Sequence, residues 1–387
     1  MSEIILTLDR TRKIYRLAVG TLFFMQGLCF ATWASRIPSI QQQLGLSDSM
    51  LGVILFAIPV GSVLSLIFSG ALIAKFGSKK VAANALLLYS LFLPVIGFSN
   101  SPFLLMASLV IYGMAGNLAN IAINTQAVHV EARYGKNIMA SFHGLWSLAG
   151  FVAAGIGSYM IGNGIIPLTH FVLITTAIVG GVAVSFSHLV PEEKQAVTST
   201  KLFVKPDKAL LTLGLLAFCS MICEGAMFDW SGIYFQKVVK ADKDWVGAGY
   251  TAFMCAMATG RFVADWVANH LKFRKTIFLS GLLIACGLGV AVSFPQIAPA
   301  MLGFILVGFG VSSIVPLVYS EAGKSKSMPP GMALTAVSSV GFLGFLSGPP
   351  VIGVIAGAFS LRLSYTVIAL MGLMITLIIS RRGKMEL

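Results

Sequence analysis

Few residues in this chain of 387 could do chemistry, and those that could are set inside long apolar runs. Glu224 is the sharpest. It lies sixteen residues past Lys208, roughly 24 Å along a helix at about 1.5 Å per residue. A carboxyl at that depth can bind and release a proton as its surroundings change; the alternative is a protonated acid bonded to a neighbouring helix. Asp229, five residues on, is either a second proton-coupling group or a helix-end acid, and in the first role it could pair with Arg36 as an outer gate. Arg261 and Asp265 stand four apart, a spacing that lets opposite charges bridge on one helical face. Near the inner end of their segment they read as a closure pair, with direct solute contact by Arg261 as the other reading. Asn117, Asn120 and Asn124 recur at i, i+3 and i+7. Their amides both donate and accept, which suits a neutral polyhydroxylated or amino-bearing ligand, though small polar groups also bond between membrane helices. His143 and Trp146, three apart with Ser147 beside them, could relay a proton or bind a ligand, or be satisfied by a neighbour. Trp33 and Trp230 are expected at helix ends, as interfacial anchors or as an aromatic lid.

The elements that position these groups are dictated by composition. Hydrophobic residues make up 57% of the chain and charged residues 11%, with a mean hydropathy of +0.89, whereas a soluble chain carries about 25% charged residues. The charges cluster between apolar runs long enough to cross a bilayer as helix. Closed β-barrels need short alternating segments, and these runs are continuous. The pattern predicts an all-α membrane protein with twelve spans, near 14–34, 49–74, 79–98, 102–128, 138–161, 168–190, 208–230, 246–269, 274–294, 299–320, 331–356 and 362–380. The polar stretch 191–207 divides a first half, 1–190, from a second, 208–387. Pro349-Pro350 and Pro316 are expected to kink or break their helices.

With both termini inside, twenty-one Lys or Arg fall on inside segments and five outside. That asymmetry fixes cytoplasmic termini. The formal net charge of +13 therefore reports topology and contact with anionic lipid rather than nucleic-acid binding. Residues Met1 to Lys13 mix acids and bases and lack the pattern of a cleaved leader, so the first span is expected to be retained. All five cysteines fall in spans and read as small packing residues, and no ligand spacing completes a metal site. No phosphate loop, kinase set, Ser-His-Asp order or paired-carboxylate motif is present. The reading is therefore not an enzyme, and no cofactor is expected.

The second half repeats the first at an offset of about 195 to 198 residues. Gln26-Gly27-Leu28-Cys29-Phe30 returns as Glu224-Gly225-Ala226-Met227-Phe228, Lys79-Lys80 as Arg274-Lys275, Gly113 as Gly308, and Gly150 and Gly155 as Gly348 and Gly353. Paired membrane halves are how many secondary transporters form a central substrate site. Gln26, opposite Glu224 in the repeat, becomes a further cavity-lining candidate.

The loop after the second span reads Gly70-Ala71-Leu72-Ile73-Ala74-Lys75-Phe76-Gly77-Ser78-Lys79-Lys80. It resembles the signature of the major facilitator superfamily, with Ala74 where that family usually has an acid. The resemblance implies a two-half, twelve-helix fold and alternating access. It assigns Gly70, Lys75, Gly77, Lys79 and Lys80 to gating, through close helix contact and bases that hold the cytoplasmic loop. The departure at Ala74 removes the charge lock expected there. Phe30-Ala31-Thr32-Trp33-Ala34-Ser35-Arg36-Ile37-Pro38, Phe142-His143-Gly144-Leu145-Trp146-Ser147 and Glu224 to Ser231 are similar to the MosC-like, YbjJ-type branch of bacterial inner-membrane proteins. That branch implies a bacterial porter, for an inositol- or sugar-like compound or in drug export.

The combined expectation is a monomeric inner-membrane transporter of a small organic solute, sugar-, inositol- or amino-sugar-like, driven by protons. Gln26, Asn117, Asn120, His143, Trp146 and Glu224 line its solute site, Glu224 and Asp229 couple protons, and Arg36, Arg261 and Asp265 gate. A multidrug exporter of amphiphilic cations, using Glu224 and the 27 Phe, is the first alternative. A transport-inactive sensor or assembly protein of the same fold is the second. The partners are a small-molecule substrate, protons and membrane lipids, with no nucleic acid.

Overall fold

The computed structural model describes residues 2–134, 138–191, 207–322, 325 and 330–381, with the side chains of 2–10, 140, 264–270, 330–332, 334 and 335 outside the description. The expected linker 191–207 lies almost wholly outside the described residues, as does the side chain of Asp265. Every regular element among the described residues is an α-helix: α1 (Ser2–Leu44), α2 (Asp48–Leu55), α3 (Ala57–Phe76), α4 (Ser78–Phe98), α5 (Pro102–Tyr134), α6 (Met139–Gly162), α7 (Pro167–Phe186), α8 (Lys208–Lys237), α9 (Ala248–Ser293), α10 (Ile297–Ala322), α11 (Pro330–Ala358) and α12 (Leu361–Arg381). Helix is the open-ended way to satisfy every backbone polar group where no water reaches it. Among the described residues, eleven helical stretches are long and apolar enough to span a membrane. The first arm of α9, up to Leu271, brings the set to the expected twelve.

Helices and spans do not correspond one to one. The second span is two helices, α2 and α3, parted at Phe56. Pro59 explains the break, because a proline has no N–H to return to the carbonyl of Leu55, where α2 ends. Ser47 caps α2, accepting a hydrogen bond from the N–H of Met50 at 3.2 Å. Spans eight and nine run together as α9, with the direction changing at Lys272 (φ 62°, ψ 157°). The expected breaks at proline are absent: α11 is continuous through Pro349 and Pro350, and α10 through Pro316. Each proline gives up one bond of the ladder, which a membrane helix tolerates where neighbouring groups can satisfy the freed carbonyl.

Two compact units emerge from the packing. Unit 1 comprises residues 1–40, 57–160 and 164–198; unit 2 comprises 41–56, 161–163 and 199–387. Residues 41–56 and 161–163, which the repeat places in the first half, group with the second unit.

Glycines set the helix crossings, because only a missing Cβ lets two backbones meet. In unit 1 a Cβ on Gly61 would lie 2.9 Å from the N of Met114, and one on Gly113 2.9 Å from Cα of Ile58, so α3 and α5 touch backbone to backbone. In unit 2 a Cβ on Gly52 would lie 2.8 Å from Cα of Gly353, where α2 crosses α11. The Gly-rich stretch 341–357 serves packing, whereas in 144–157 Gly157 closes on Ser35 but a Cβ on Gly155 would meet nothing within 4 Å. Gly70 is likewise open. A Cβ there would meet nothing within 4 Å, so the close contact expected of it is not made. Gly77 acts through its backbone instead. Its φ of 81° turns the chain between α3 and α4, and its N–H closes α3 on the carbonyl of Ile73 at 2.8 Å.

Candidate functional site

Unit 2 carries the ionic chemistry. Asp207 starts α8 by accepting from the N–H of Leu210 at 2.8 Å, and the apolar helix then runs to Lys237. Glu224 sits near its middle. Its Oε1 accepts a hydrogen bond from Nη2 of Arg261 on α9 at 3.0 Å, and the two side chains are 12% and 23% exposed. Tyr319 of α10 lies within electrostatic reach of the same carboxylate. Three helices thereby focus on one acid, two of them supplying polar groups.

Arg261 corrects an expectation. It lies thirteen residues after Ala248 and ten before Leu271, so it is mid-segment rather than near the inner end. Its guanidinium reaches across to α8 instead of serving only a neighbour on its own helix. A low-dielectric setting favours whichever carboxylate can approach within hydrogen-bond distance, regardless of sequence separation. Asp229, farther along α8, lies within electrostatic reach of the buried Tyr250 and Tyr365. At the end of α8, Nζ of Lys237 donates to Oδ1 of Asp48, which also accepts from Nε2 of Gln41 at 2.7 Å.

Unit 1 carries neutral chemistry at the equivalent repeat position. Gln26 on α1 is buried, and its Nε2 donates to the carbonyl of Gly116 on α5 at 3.4 Å while Oε1 has no partner. Asn117 turns toward α3, its Nδ2 donating to the carbonyl of Ser62 at 3.1 Å and to Oγ of Ser65 at 2.7 Å. That is the interhelical use of an amide. Asn120 is exposed, and Nδ2 of Asn124 donates to its carbonyl at 2.8 Å and its Oδ1 at 3.1 Å. On α6, His143 is exposed and packs edge-on to Phe23 with centroids 5.3 Å apart; Trp146 leans on Phe30 at 5.7 Å. Asn117 thus spends its donors on α3. A recess of about 780 Å³ in unit 1 lies on the other face of α1 from Gln26, lined by Lys13, Leu17, Gly20 and Phe24 among others. It contains none of the candidate solute-site residues.

Within unit 1, Nη2 of Arg36 donates to the carbonyl of Ile165, and its Nε and Nη1 have no hydrogen-bond partner. The side chain is drawn into the packing of its own unit, at 2% exposure. Trp33 and Trp230 are likewise enclosed, at 1% and 0%, which removes the interfacial-anchor reading. In the glycine-and-base loop, Nζ of Lys75 stands 5.2 Å over the ring of Phe76 and Nζ of Lys79 stands 4.9 Å over Phe186 of α7. Lys80 is exposed.

Two positioning residues escape a reading of the sequence. Gln126 of α5 is fully buried and donates to Oγ of Ser78 at 2.7 Å and to the carbonyl of Val190 at 3.2 Å, while its Oε1 accepts from the N–H of Val190 at 2.9 Å. It ties the start of α4 to the chain leaving α7. Glu131 accepts from the N–H groups of Ile138 and Met139 at 2.7 and 2.8 Å, capping the start of α6. An isolated amide or acid at the end of an apolar run is the available signal, but neither spacing nor repeat points to it.

Comparison with known proteins supplies the frame for this geometry. The family model described as Major Facilitator Superfamily matches residues 19–328. An uncharacterized MFS-type transporter of Yersinia pestis is 34% identical over 367 residues, covering 93% of each chain. Membrane protein MosC of Rhizobium meliloti is 30% identical over 371 residues, covering 94% of this chain and 89% of its own. Among solved structures, the nucleoside transporter NupG superposes with a TM-score of 0.74 at 13% identity, over 96% of this chain and all of that one.

Proposed function

The chain belongs to the major facilitator superfamily, and from that premise we propose a proton-coupled carrier of a small polar organic solute working by alternating access. Membership makes it a membrane-spanning secondary transporter of a small molecule rather than an enzyme. The finer reading rests on one observation, the Glu224–Arg261 ion pair in the middle of α8 and the first arm of α9.

A carboxylate paired with a guanidinium at that depth is a two-state element. Ionised, Glu224 holds Arg261. Protonated, it keeps at most a neutral hydrogen bond, its hold on Nη2 of Arg261 weakens, and that group can donate to an oxygen of the solute instead. Binding of proton and solute is thereby linked through a shared partner, which is the minimum a coupled carrier needs. The pairing also weighs against the exporter of cationic amphiphiles, since Arg261 cancels the charge by which Glu224 would attract a cation. Unit 1 contributes neutral amide, imidazole and indole groups at Gln26, Asn120, His143 and Trp146, which suit hydroxyl-rich solutes. Sugars, inositols and amino-sugars are the leading class, and the likeness to a nucleoside transporter adds nucleosides to the screen.

The test is a thermal-stabilisation screen of the purified protein against these solutes and against amphiphilic cations, followed by uptake into proteoliposomes with an imposed pH gradient. Stabilisation by a polar solute, with uptake that follows the gradient, is expected. Uptake indifferent to the gradient refutes the coupling, and stabilisation by cations alone refutes the solute class.

A further inference from the structure

The end of unit 1 where α1 meets the start of α7 holds a charge that nothing among the unit's described residues balances. Arg36 is 2% exposed, and Nη2 is its one bonded nitrogen, donating to the carbonyl of Ile165; Nε and Nη1 have no partner. His170, one turn into α7, is 0% exposed, and neither ring nitrogen is bonded. The imidazole lies within electrostatic reach of Arg36. It also stands against α6, where a Cβ on Gly157 would come 3.8 Å from its Cε1 and would collide with Ser35 of α1. One turn before Arg36, Thr32 Oγ1 and Trp33 Nε1 are buried without partners as well. The N-cap of α7, Ile166, makes no side-chain cap, and Pro167 opens the helix, so its first-turn N–H groups lack intrahelical acceptors.

Such a set is costly as it stands. A guanidinium does not shed its proton, so burial must be met by a counter-charge or by acceptors. Among its described residues, unit 1 does not supply the charge. Its acids are Glu3, Asp9, Glu131, Glu192 and Glu193. Asp9 precedes Arg36 by 27 residues of continuous α1, roughly 40 Å. Glu131 stands at the start of α6, whose 24 residues separate it from the Arg36 end. Glu192 and Glu193 lie outside the described residues. Arg36, His170, Thr32 and Trp33 each leave at this end an unbonded polar atom that donates or can do so, and the helix start adds positive potential.

We propose that this end of unit 1 is a binding site for a small monovalent inorganic anion of halide size, held by the free edge of Arg36 and by His170. The near-complete burial of both side chains limits the occupant to a few atoms and separates this site from that of the transported solute. Its role is to complete the packing of α1 against α6 and α7. It stands independently of the proton-coupling reading.

The experiment uses the full chain purified in chloride-free sodium gluconate. Thermal unfolding is followed as gluconate is exchanged for chloride, bromide or nitrate at constant ionic strength. A saturable rise in Tm with the small anions is expected, together with broadening of the chloride NMR line that bromide reverses. Arg36→Gln should abolish both effects, and His170→Asn should weaken the apparent affinity at least tenfold. Should Arg36→Gln yield no folded protein, the chloride line width of wild type against His170→Asn decides. Equal Tm in gluconate and chloride, or broadening unchanged in His170→Asn, overturns the proposal and assigns the unpartnered donors to buried water or to an acid of unit 2.

Discussion

Replacing Glu224 with Gln keeps the shape of the side chain and removes its charge and its exchangeable proton. Two consequences follow from the geometry. The first is energetic. Unit charges at 3.0 Å attract by about 5 kcal/mol at an effective dielectric of about 20, but desolvation opposes most of this. Exposed pairs are worth up to about 1 kcal/mol, and breaking a buried pair costs about 3–5 kcal/mol. With side chains 12% and 23% exposed, the Glu224–Arg261 coupling should be about 2 kcal/mol, between those limits. A double-mutant cycle of Glu224→Gln and Arg261→Gln, read by denaturant unfolding in detergent, measures it. The second consequence is functional. One carboxylate sharing one guanidinium implies one proton per cycle, and a gradient of one pH unit is worth about 1.4 kcal/mol, a roughly tenfold solute accumulation. Glu224→Gln should bring that ratio to about one in proteoliposomes while solute exchange across the same membranes continues. Accumulation still driven by the pH gradient in the variant would refute the coupling role. Additivity of the two substitutions to within about 0.5 kcal/mol would refute the energetic argument.

The remaining expectations concern what positions the site. Gln126→Ala removes three hydrogen bonds and leaves Val190 and Ser78 unpaired inside unit 1, so it should destabilise by about 2–4 kcal/mol, seen as a lower unfolding midpoint. Gly113→Val forces α3 and α5 apart at Ile58 and should cost at least about 1–3 kcal/mol, with loss of folded protein on size-exclusion chromatography. Asn117→Ala should lower stability by about 1 kcal/mol and leave solute affinity unchanged, because its donors are used on Ser62 and Ser65. Asn120→Ala should do the reverse, weakening solute binding in a ligand-stabilisation assay.

The architecture is legible in the sequence because membrane helices advertise themselves. Length, hydropathy and the positive-inside bias act on whole segments, and errors at single residues average out. Side-chain pairing has no such redundancy. Spacing offers Arg261 its neighbour four residues on, Asp265, but gives no sign of Glu224, 37 residues away, whose carboxylate it also meets. The periodicity of Asn117, Asn120 and Asn124 places them on one helix, but only contact with Ser62 and Ser65 tells which asparagine turns inward. Hydropathy does not show that Trp33 and Trp230 are enclosed, since a tryptophan near a span end looks the same whether it faces lipid headgroups or packs inside. His170 carries no motif at all. Pro59 is visible, yet its consequence, the break between α2 and α3, depends on which carbonyl its ring deprives of a donor.

The repeat makes the placement of the ionisable chemistry an argument in itself. Gln26 and Glu224 occupy equivalent positions, and each bridges the first helix of its half to a neighbour, Gln26 to the Gly116 carbonyl and Glu224 to Arg261. The bridge keeps its form while its chemistry differs: neutral in unit 1, ionic in unit 2. No acid of unit 1 falls within the middle of a span, whereas unit 2 has Glu224, Asp229 and Asp265 inside its spans. A carboxylate proton carrier therefore has to be sought in unit 2, and unit 1 can offer only His143 as a titratable group among its solute-site candidates. If proton coupling is carried by one half, substitutions in unit 1 such as Asn120→Ala should change solute affinity at every pH by the same factor. Changes at Glu224 should alter the pH dependence itself. A pH profile of uptake for the two variants separates these outcomes, and a shifted profile in Asn120→Ala would mean that the two halves share the proton.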